Sequence, residues 1–183
     1  MGKVFIGNET SIAVYLASPL GFTEEGRTYI KNVLIPKVSK IESVLVIDPW
    51  SSILRMEESQ IMQMGILNAQ EASKIGKMNF ESIRRADIIL ANLNGSDPDS
   101  GTCIEIGYAY ALGKTVIGYR TDFRRMGDST SGINMQVEAA VVGSGGKLFG
   151  TLDEALAFLK GLVADEVDQK LSKRQGTRLR SKG

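Results

Sequence analysis

The sequence predicts a single α/β domain built on a doubly wound parallel sheet of about five strands. Short apolar runs of strand length alternate with amphipathic stretches of helical length, which is the pattern of repeated β-α-β units. The 183 residues suffice for one domain with its own core, and 43% hydrophobic with 23% charged residues is ordinary for a globular protein. Neither an internal repeat nor a domain boundary is evident in the sequence.

Two apolar runs and the helix between them open the predicted sheet. Residues 11–18 form a buried strand, and Thr23 caps the helix that follows it. Pro36 is expected to kink or end this helix, because proline has no backbone N–H. Residues 43–47 form the second strand, whereas residues 4–6 resemble a strand that the architecture does not need.

The middle of the chain combines a long helical segment with the third strand. Residues 53–86 have a helical pattern throughout, and a break into two helices is expected near Gly65 or Gly76. Residues 87–93 form the third strand, and residues 102–112 form the helix after it.

Shorter elements complete the predicted sheet. Residues 115–119 form the fourth strand and Leu148–Phe149 a short fifth strand, which an amphipathic helix over residues 151–163 follows. Residues 120–134 are polar and have no periodicity, which is typical of an active-site lid or an interface loop.

Charge and composition exclude several classes of protein. The net charge of +1 gives no electrostatic reason for nucleic-acid binding. Residues 170–183 hold six basic and no acidic residues, so we expect a domain over residues 1–169 followed by a basic, disordered tail. Contact of this tail with RNA or another anionic surface is the alternative.

The sequence has neither a transmembrane nor a secretory pattern, and its one cysteine excludes an internal disulfide. We therefore expect a cytoplasmic protein without a membrane partner.

The candidate site follows the third strand, where residues 97–101 form a polar, glycine-containing loop. Such loops lie at the carboxyl edge of an α/β sheet, where ligands bind. The chain has no histidine, so acid–base or nucleophilic chemistry falls to carboxylates such as Asp99 and Glu105, to Tyr, Lys, Ser or Thr, or to the single Cys. Too few soft ligands remain for a structural zinc site. Structural interpretations stay open: Thr102 and Glu105 fit a capping box, Asp99 fits a turn or cap, and Tyr15 fits the core of a strand.

Three segments carry a family resemblance: residues 15–22, residues 86–93, and the pattern Asp-Ser-Gly-Thr-x-x-Glu-x-Gly-x-Ala over residues 99–109. With them, the sequence from about Ile12 to Phe158 resembles the nucleoside 2-deoxyribosyltransferase family. This resemblance implies a flavodoxin-like sheet and the transfer of a 2-deoxyribosyl group between nucleobases.

The resemblance also implies roles for individual residues. Glu105 matches the family's nucleophile, Asp99 an aspartate near the leaving base, and Tyr15 a tyrosine that contacts the nucleophile. Asn79 stands where well-known bacterial members have an aspartate that touches the nucleobase, and Asn134 loosely matches an asparagine supplied by a neighbouring subunit. The other expected substrate-binding residues lie in the matched loops: Ser18, Gly21, Phe22 and Gly101.

The implied reaction is a retaining, ping-pong transfer. Glu105 attacks the anomeric carbon, the first base leaves, and a second base attacks the covalent intermediate, without a metal or organic cofactor. Deoxynucleosides and free nucleobases are the implied partners, and a homodimer or higher oligomer is the implied assembly.

Two other functions remain open. A 2′-deoxynucleoside 5′-monophosphate N-glycosidase would use the same glutamate with water as acceptor, and it would need a phosphate loop, for which residues 18–21 are a weak candidate. Residues 143–146 are more typical of a turn. A non-catalytic nucleotide sensor on the same sheet is the alternative of another class.

Overall fold

The computed structural model describes residues 10–51, 68–124 and 132–180, and within these ranges five parallel strands form one sheet in the order β2-β1-β3-β4-β5. The strands are β1 (Ile12–Ala17), β2 (Val44–Ile47), β3 (Ile88–Asn92), β4 (Thr115–Tyr119) and β5 (Leu148–Phe149). This order is that of flavodoxin-like folds. The predicted fold class, a single α/β domain with a five-stranded parallel sheet, is therefore confirmed.

Helices cover both faces of the sheet. They are α1 (Glu24–Tyr29), a π-helical turn (Ile30–Leu34), α2 (Ile35–Ser39), α3 (Ala69–Arg85), α4 (Ser100–Ala111), α5 (Met135–Gly143) and α6 (Leu152–Arg180). Residues of α1, α2 and α6 belong to the core on one face, and residues of α3, α4 and α5 to the core on the other. Strand side chains alternate between the two cores, since successive residues of a strand point to opposite faces.

Strand β1 shows how this alternation positions the site. Val14 and Leu16 pack with α2 and α6, and full burial of each stabilises the fold by about 2 kcal/mol. Tyr15 and Ala17 point to the opposite face, toward α3 and α4. Tyr15 is completely buried, so its hydroxyl needs a hydrogen-bond partner inside the protein.

The helix before β2 differs from the expectation for Pro36. Thr23 caps α1 as predicted, its Oγ1 accepting a hydrogen bond from Gly26 N at 3.0 Å. Pro36 does not end the helical segment, which continues to Ser39. The π-helical turn comes directly before it, and Ile35 N donates to Ile30 O, five residues earlier. Pro36 therefore lies in the first turn of α2, where a missing N–H breaks no helical hydrogen bond.

Helix α3 is continuous through Gly76, where a break was predicted. Asn68 and Glu71 form a capping box at its start, with Asn68 Oδ1 accepting from Glu71 N at 3.0 Å. A glycine in an exposed helix interior costs only about 1 kcal/mol, which is too little to end a helix capped in this way. Residues 4–6 and 53–67, including the other predicted break at Gly65, lie outside the described residues.

Helix α6 runs past its expected end at Val163 to Arg180. Residues 170–180 thus continue this helix, while the disordered tail over residues 170–183 stays a prediction, of which residues 181–183 lie outside the described part. Lys170 anchors this extension, because its Nζ donates to Ser11 O at 3.1 Å and lies 3.6 Å from Asp87 Oδ2. Among the described residues, no helix is long and apolar enough to span a membrane.

Candidate active site

The candidate site lies at the carboxyl edge of the sheet, next to the topological switch between β1 and β3. Strand β1 pairs with β2 on one side and with β3 on the other, and such a switch opens a crevice for ligands. The loop after β3 leads into α4, which carries Glu105 toward Tyr15 of β1. The candidate residues of these segments therefore meet where an α/β sheet binds its ligands.

The start of α4 determines which groups are engaged in capping. Asp99 is the N-cap, and its Oδ2 accepts hydrogen bonds from Thr102 N at 2.9 Å and from Thr102 Oγ1 at 3.2 Å. The interpretation of Thr102 and Glu105 as a capping box is therefore wrong, since the helix begins two residues before Thr102. Gly101 leaves room for the cap, because a Cβ there would lie 3.1 Å from Asp99 Oδ2.

Three elements converge on the Glu105 carboxylate. Tyr15 Oη of β1 donates to Glu105 Oε1 at 2.6 Å. Asn79 Nδ2 of α3 donates to the same oxygen at 3.4 Å. Ile106, which follows Glu105, is buried in the core, as is Ile83, one turn after Asn79. The packing of both helices thus holds the polar contacts in place.

Burial dominates the electrostatics of this group. The pKa of Glu105 is raised from 4.5 to about 7: desolvation by burial raises it most, the hydrogen bond from Tyr15 lowers it, the Asp99 carboxylate raises it, and the hydrogen bond from Asn79 lowers it. Burial, followed by the charge of Glu105, raises the pKa of Tyr15 far above its usual range, so Tyr15 stays a neutral donor. The result is a carboxylate that loses its proton near neutral pH and is held by uncharged donors. Such a group suits a nucleophile or a proton acceptor.

The loop after β1 contains three further predicted residues. Ser18 serves the backbone of this loop: its Oγ accepts from Leu20 N at 3.1 Å, and its carbonyl accepts from Trp50 Nε1 at 2.8 Å. Gly21 lies against the indole, since a Cβ there would be 1.9 Å from Trp50 Cδ2. Phe22 meets Trp50 edge to face at 4.7 Å and is 71% exposed, so its ring is open to a ligand.

The remaining predicted groups are not in contact with these residues in the described structure. Asn134 caps α5, with Oδ1 accepting from Gln136 N at 2.9 Å. The turn expected over residues 143–146 follows directly after Gly143, the last residue of α5, and in it Ser144 Oγ accepts from Val116 N at 2.9 Å near the amino end of β4, the edge opposite the site. Of the predicted lid over residues 120–134, residues 125–131 lie outside the described ranges.

Asp48 was not among the predicted site residues. It directly follows β2 at the carboxyl edge; its Oδ1 accepts from Trp50 N at 3.1 Å, while Oδ2 is buried without a hydrogen-bond partner in the described structure. Burial raises the pKa of its carboxyl, and its charge raises that of Tyr15. The sequence contains a signal for Asp48, because a carboxylate in the segment that follows a strand is also what marks the loop after β3.

Arg120 is a second group that the sequence did not single out. Its Nη1 donates to Leu93 O at 2.8 Å and to Gly95 O at 2.7 Å, and its Nη2 donates to Arg124 O. It thereby joins the loop after β4 to the loop after β3 that leads to Asp99. In the ranges that the structure describes, no three Asp, Glu or Cys side chains are placed to hold a metal ion.

Comparisons with known proteins agree with this arrangement. The family model for nucleoside 2-deoxyribosyltransferase matches residues 14–170, which include all three converging residues. No curated protein matches the sequence at a significant level.

Solved structures share the fold at low sequence identity. A 2-deoxyribosyltransferase from Leishmania mexicana is 24% identical, with a TM-score of 0.59 over 82% of this chain and 97% of that chain. A conserved protein from Enterococcus faecalis is 18% identical, with a TM-score of 0.62 over 87% of this chain and 99% of that one. A 2-deoxyribosyltransferase from Bacillus psychrosaccharolyticus is 23% identical, with a TM-score of 0.52 over 70% of this chain and 82% of that one.

The family match covers most of the chain and confirms the resemblance seen in the sequence. It indicates an enzyme of this family. The chain therefore belongs to the nucleoside 2-deoxyribosyltransferase family.

Proposed function

We propose that this protein transfers 2-deoxyribosyl groups between nucleobases, with Glu105 as the nucleophile. The observation that carries the proposal is the 2.6 Å hydrogen bond from the buried Tyr15 hydroxyl to Glu105 Oε1, beside the topological switch of the sheet. A carboxylate oriented by a neutral donor in a partly desolvated crevice is suited to attack an electron-poor anomeric carbon.

The first half-reaction forms a glycosyl ester. A Glu105 oxygen attacks C1′ from the face opposite the base, and the C1′–N bond breaks with its electron pair going to the base nitrogen. Asp99, whose charge is close enough to raise the pKa of Glu105, is proposed to lie beside the leaving base, and the base nitrogen takes its proton from water. The second half-reaction reverses these steps: a nitrogen of the incoming base attacks C1′, the ester electron pair returns to Glu105, and the base proton passes to water.

Two inversions at C1′ give retention of configuration, and the steps use carboxylates, a phenol and solvent water. The first step requires ionised Glu105. Because the pKa of this carboxyl is raised to about 7, the rate is expected to rise with pH through neutrality.

Contacts to the substrate complete the proposal. The open ring of Phe22 supports a stacking contact with the nucleobase, and Ser18 and Gly21 shape the loop that presents this ring. The family resemblance supports a homodimer or higher oligomer, in which Asn134 reaches the site of a neighbouring subunit, and the exposed side chains of Ile104 on α4 and Met135 on α5 are candidates for its interface. Light scattering tests the assembly, and a monomer at assay concentration would contradict it.

A chromatographic assay of purified protein tests the reaction. Deoxyinosine or thymidine is incubated with and without free adenine or cytosine, and the 5′-monophosphates are run in parallel. A new deoxynucleoside that forms only with an acceptor base supports transfer. Base release that is indifferent to acceptor, or confined to monophosphates, assigns the N-glycosidase, and no turnover of any substrate favours the sensor.

Two glutamine variants test the nucleophile. Glu105→Gln keeps the size of the side chain and should abolish transfer, whereas Glu166→Gln, an exposed position on α6, should leave it unchanged. Near-normal turnover by Glu105→Gln would contradict the assignment.

A further inference from the structure

The two donors to Glu105 reach the same oxygen. Tyr15 Oη lies 2.6 Å and Asn79 Nδ2 3.4 Å from Oε1. We propose that Asn79 is a positioning residue for Glu105, and this proposal rests on the proposed function. Together with Tyr15, Asn79 holds Oε1, so that Oε2 is the oxygen that attacks the substrate. This role differs from the contact with the nucleobase that the resemblance implies for position 79.

The burial pattern of α3 singles out this amide. Met78 is 59% exposed and Phe80 is 36% exposed, whereas the polar Asn79 between them is less exposed than either. Asn79 lies one helical turn before the buried Ile83, on the side of α3 that faces the core. An amphipathic helix normally places its apolar side chains inward, so a polar side chain turned inward between two apolar ones indicates a specific contact. Glu105 supplies that contact.

The surroundings of Glu105 explain why an amide matters there. Three groups act on it: Tyr15 from β1, Asn79 from α3 and Asp99 at the start of α4, while Asp48 after β2 acts on Tyr15. The first two are neutral donors that stabilise the ionised carboxylate, while the Asp99 carboxylate repels it. A carboxylate at position 79 would exchange one of the two stabilising contacts for a second repulsion.

The test compares Asn79→Asp with Asn79→Leu, which removes the donor at nearly constant size. The acidity of Glu105 is measured by ¹³C NMR titration of the glutamate carboxyl carbons, with Glu105→Gln identifying the resonance. We expect Asn79→Asp to move the Glu105 titration to higher pH by about one unit or more, with Asn79→Leu moving it in the same direction by less. The acid limb of the kcat/KM profile should move with it, while the KM for the acceptor base stays within about twofold for Asn79→Leu.

An unchanged Glu105 titration in both variants would overturn the proposal. So would a KM that changes with the identity of the base while the titration stays fixed, because that result assigns Asn79 to the nucleobase. The NMR measurement does not depend on turnover. Full activity of Glu105→Gln would therefore refute the proposed function without affecting the result on Asn79.

Discussion

The substitution Glu105→Gln should stabilise the folded protein at alkaline pH while removing its activity. The carboxyl lies in a partly desolvated crevice, where ionisation is unfavourable, and an amide of the same size is never ionised. Gln can still accept the hydrogen bonds that Tyr15 and Asn79 donate. The gain in stability therefore reports on the buried charge itself.

Its size follows from the two pKa values. The pKa of Glu105 rises from 4.5 to about 7 on folding, and each pH unit corresponds to 1.36 kcal/mol, so the carboxylate destabilises the folded state by about 3 kcal/mol once it is ionised. Because the pKa of Glu105 is higher in the folded state, the parent protein has its full stability below pH 4.5. It loses about 3 kcal/mol of its free energy of unfolding as pH rises through about 7. The variant has no such loss.

Urea unfolding of both proteins at about pH 4, 6 and 8 measures the effect directly. The free energy of unfolding of Glu105→Gln relative to the parent should increase by about 3 kcal/mol across this range, since the other titrating groups are common to both proteins. A difference that does not change with pH would contradict a raised pKa, because it would show that Glu105 titrates alike in the folded and unfolded states. The Glu166→Gln control should show no such trend.

Other substitutions test separate parts of the structure. Tyr15→Phe removes a hydrogen bond to a charged group, so kcat/KM should fall by about 10- to 100-fold and its acid limb should move up by about one pH unit; an unchanged pH–rate profile would contradict this. Gly146→Ala would place a Cβ 1.7 Å from a backbone carbonyl oxygen and should destabilise the fold by about 2 kcal/mol or more in urea unfolding. Its control is Gly161→Ala, where the added Cβ meets open space on helix α6 and should stabilise by about 0.5–1 kcal/mol; equal effects of the two would refute the packing argument. Arg120→Ala removes the donors that join two loops and should destabilise by about 1–2 kcal/mol, with Arg120→Lys recovering only part, whereas a neutral Arg120→Ala would show that the loops hold without it.

The fold was predictable because local signals agree with the global structure. Each strand is a short apolar run, and the caps at Thr23 and Asn68 lie where the helices begin. The two wrong predictions, at Pro36 and Gly76, depend on the energetic cost of each residue in a helix, which the spacing of apolar residues does not show. A π-helical turn places Pro36 where its missing N–H breaks no bond, and Gly76 is too weak a helix breaker to divide α3.

The site was predictable in part. Sequence reasoning and the family resemblance named Tyr15, Asn79, Asp99 and Glu105, and the structure places all four together. Residues 99–102 offer two competing caps, and only the three-dimensional course of the loop selects Asp99. The contact between Tyr15 and Glu105 joins residues 90 positions apart. It depends on how α4 packs against β1, which no local sequence pattern determines.

Intact-protein mass spectrometry after rapid acid quench of enzyme with excess deoxynucleoside and no acceptor base tests for the covalent intermediate itself. We expect a mass increase equal to one 2-deoxyribosyl group, which peptide mapping places on Glu105 and which decreases when adenine or cytosine is added before the quench. A label on another residue, or transfer that proceeds with no label on the protein, would contradict a glycosyl–Glu105 intermediate.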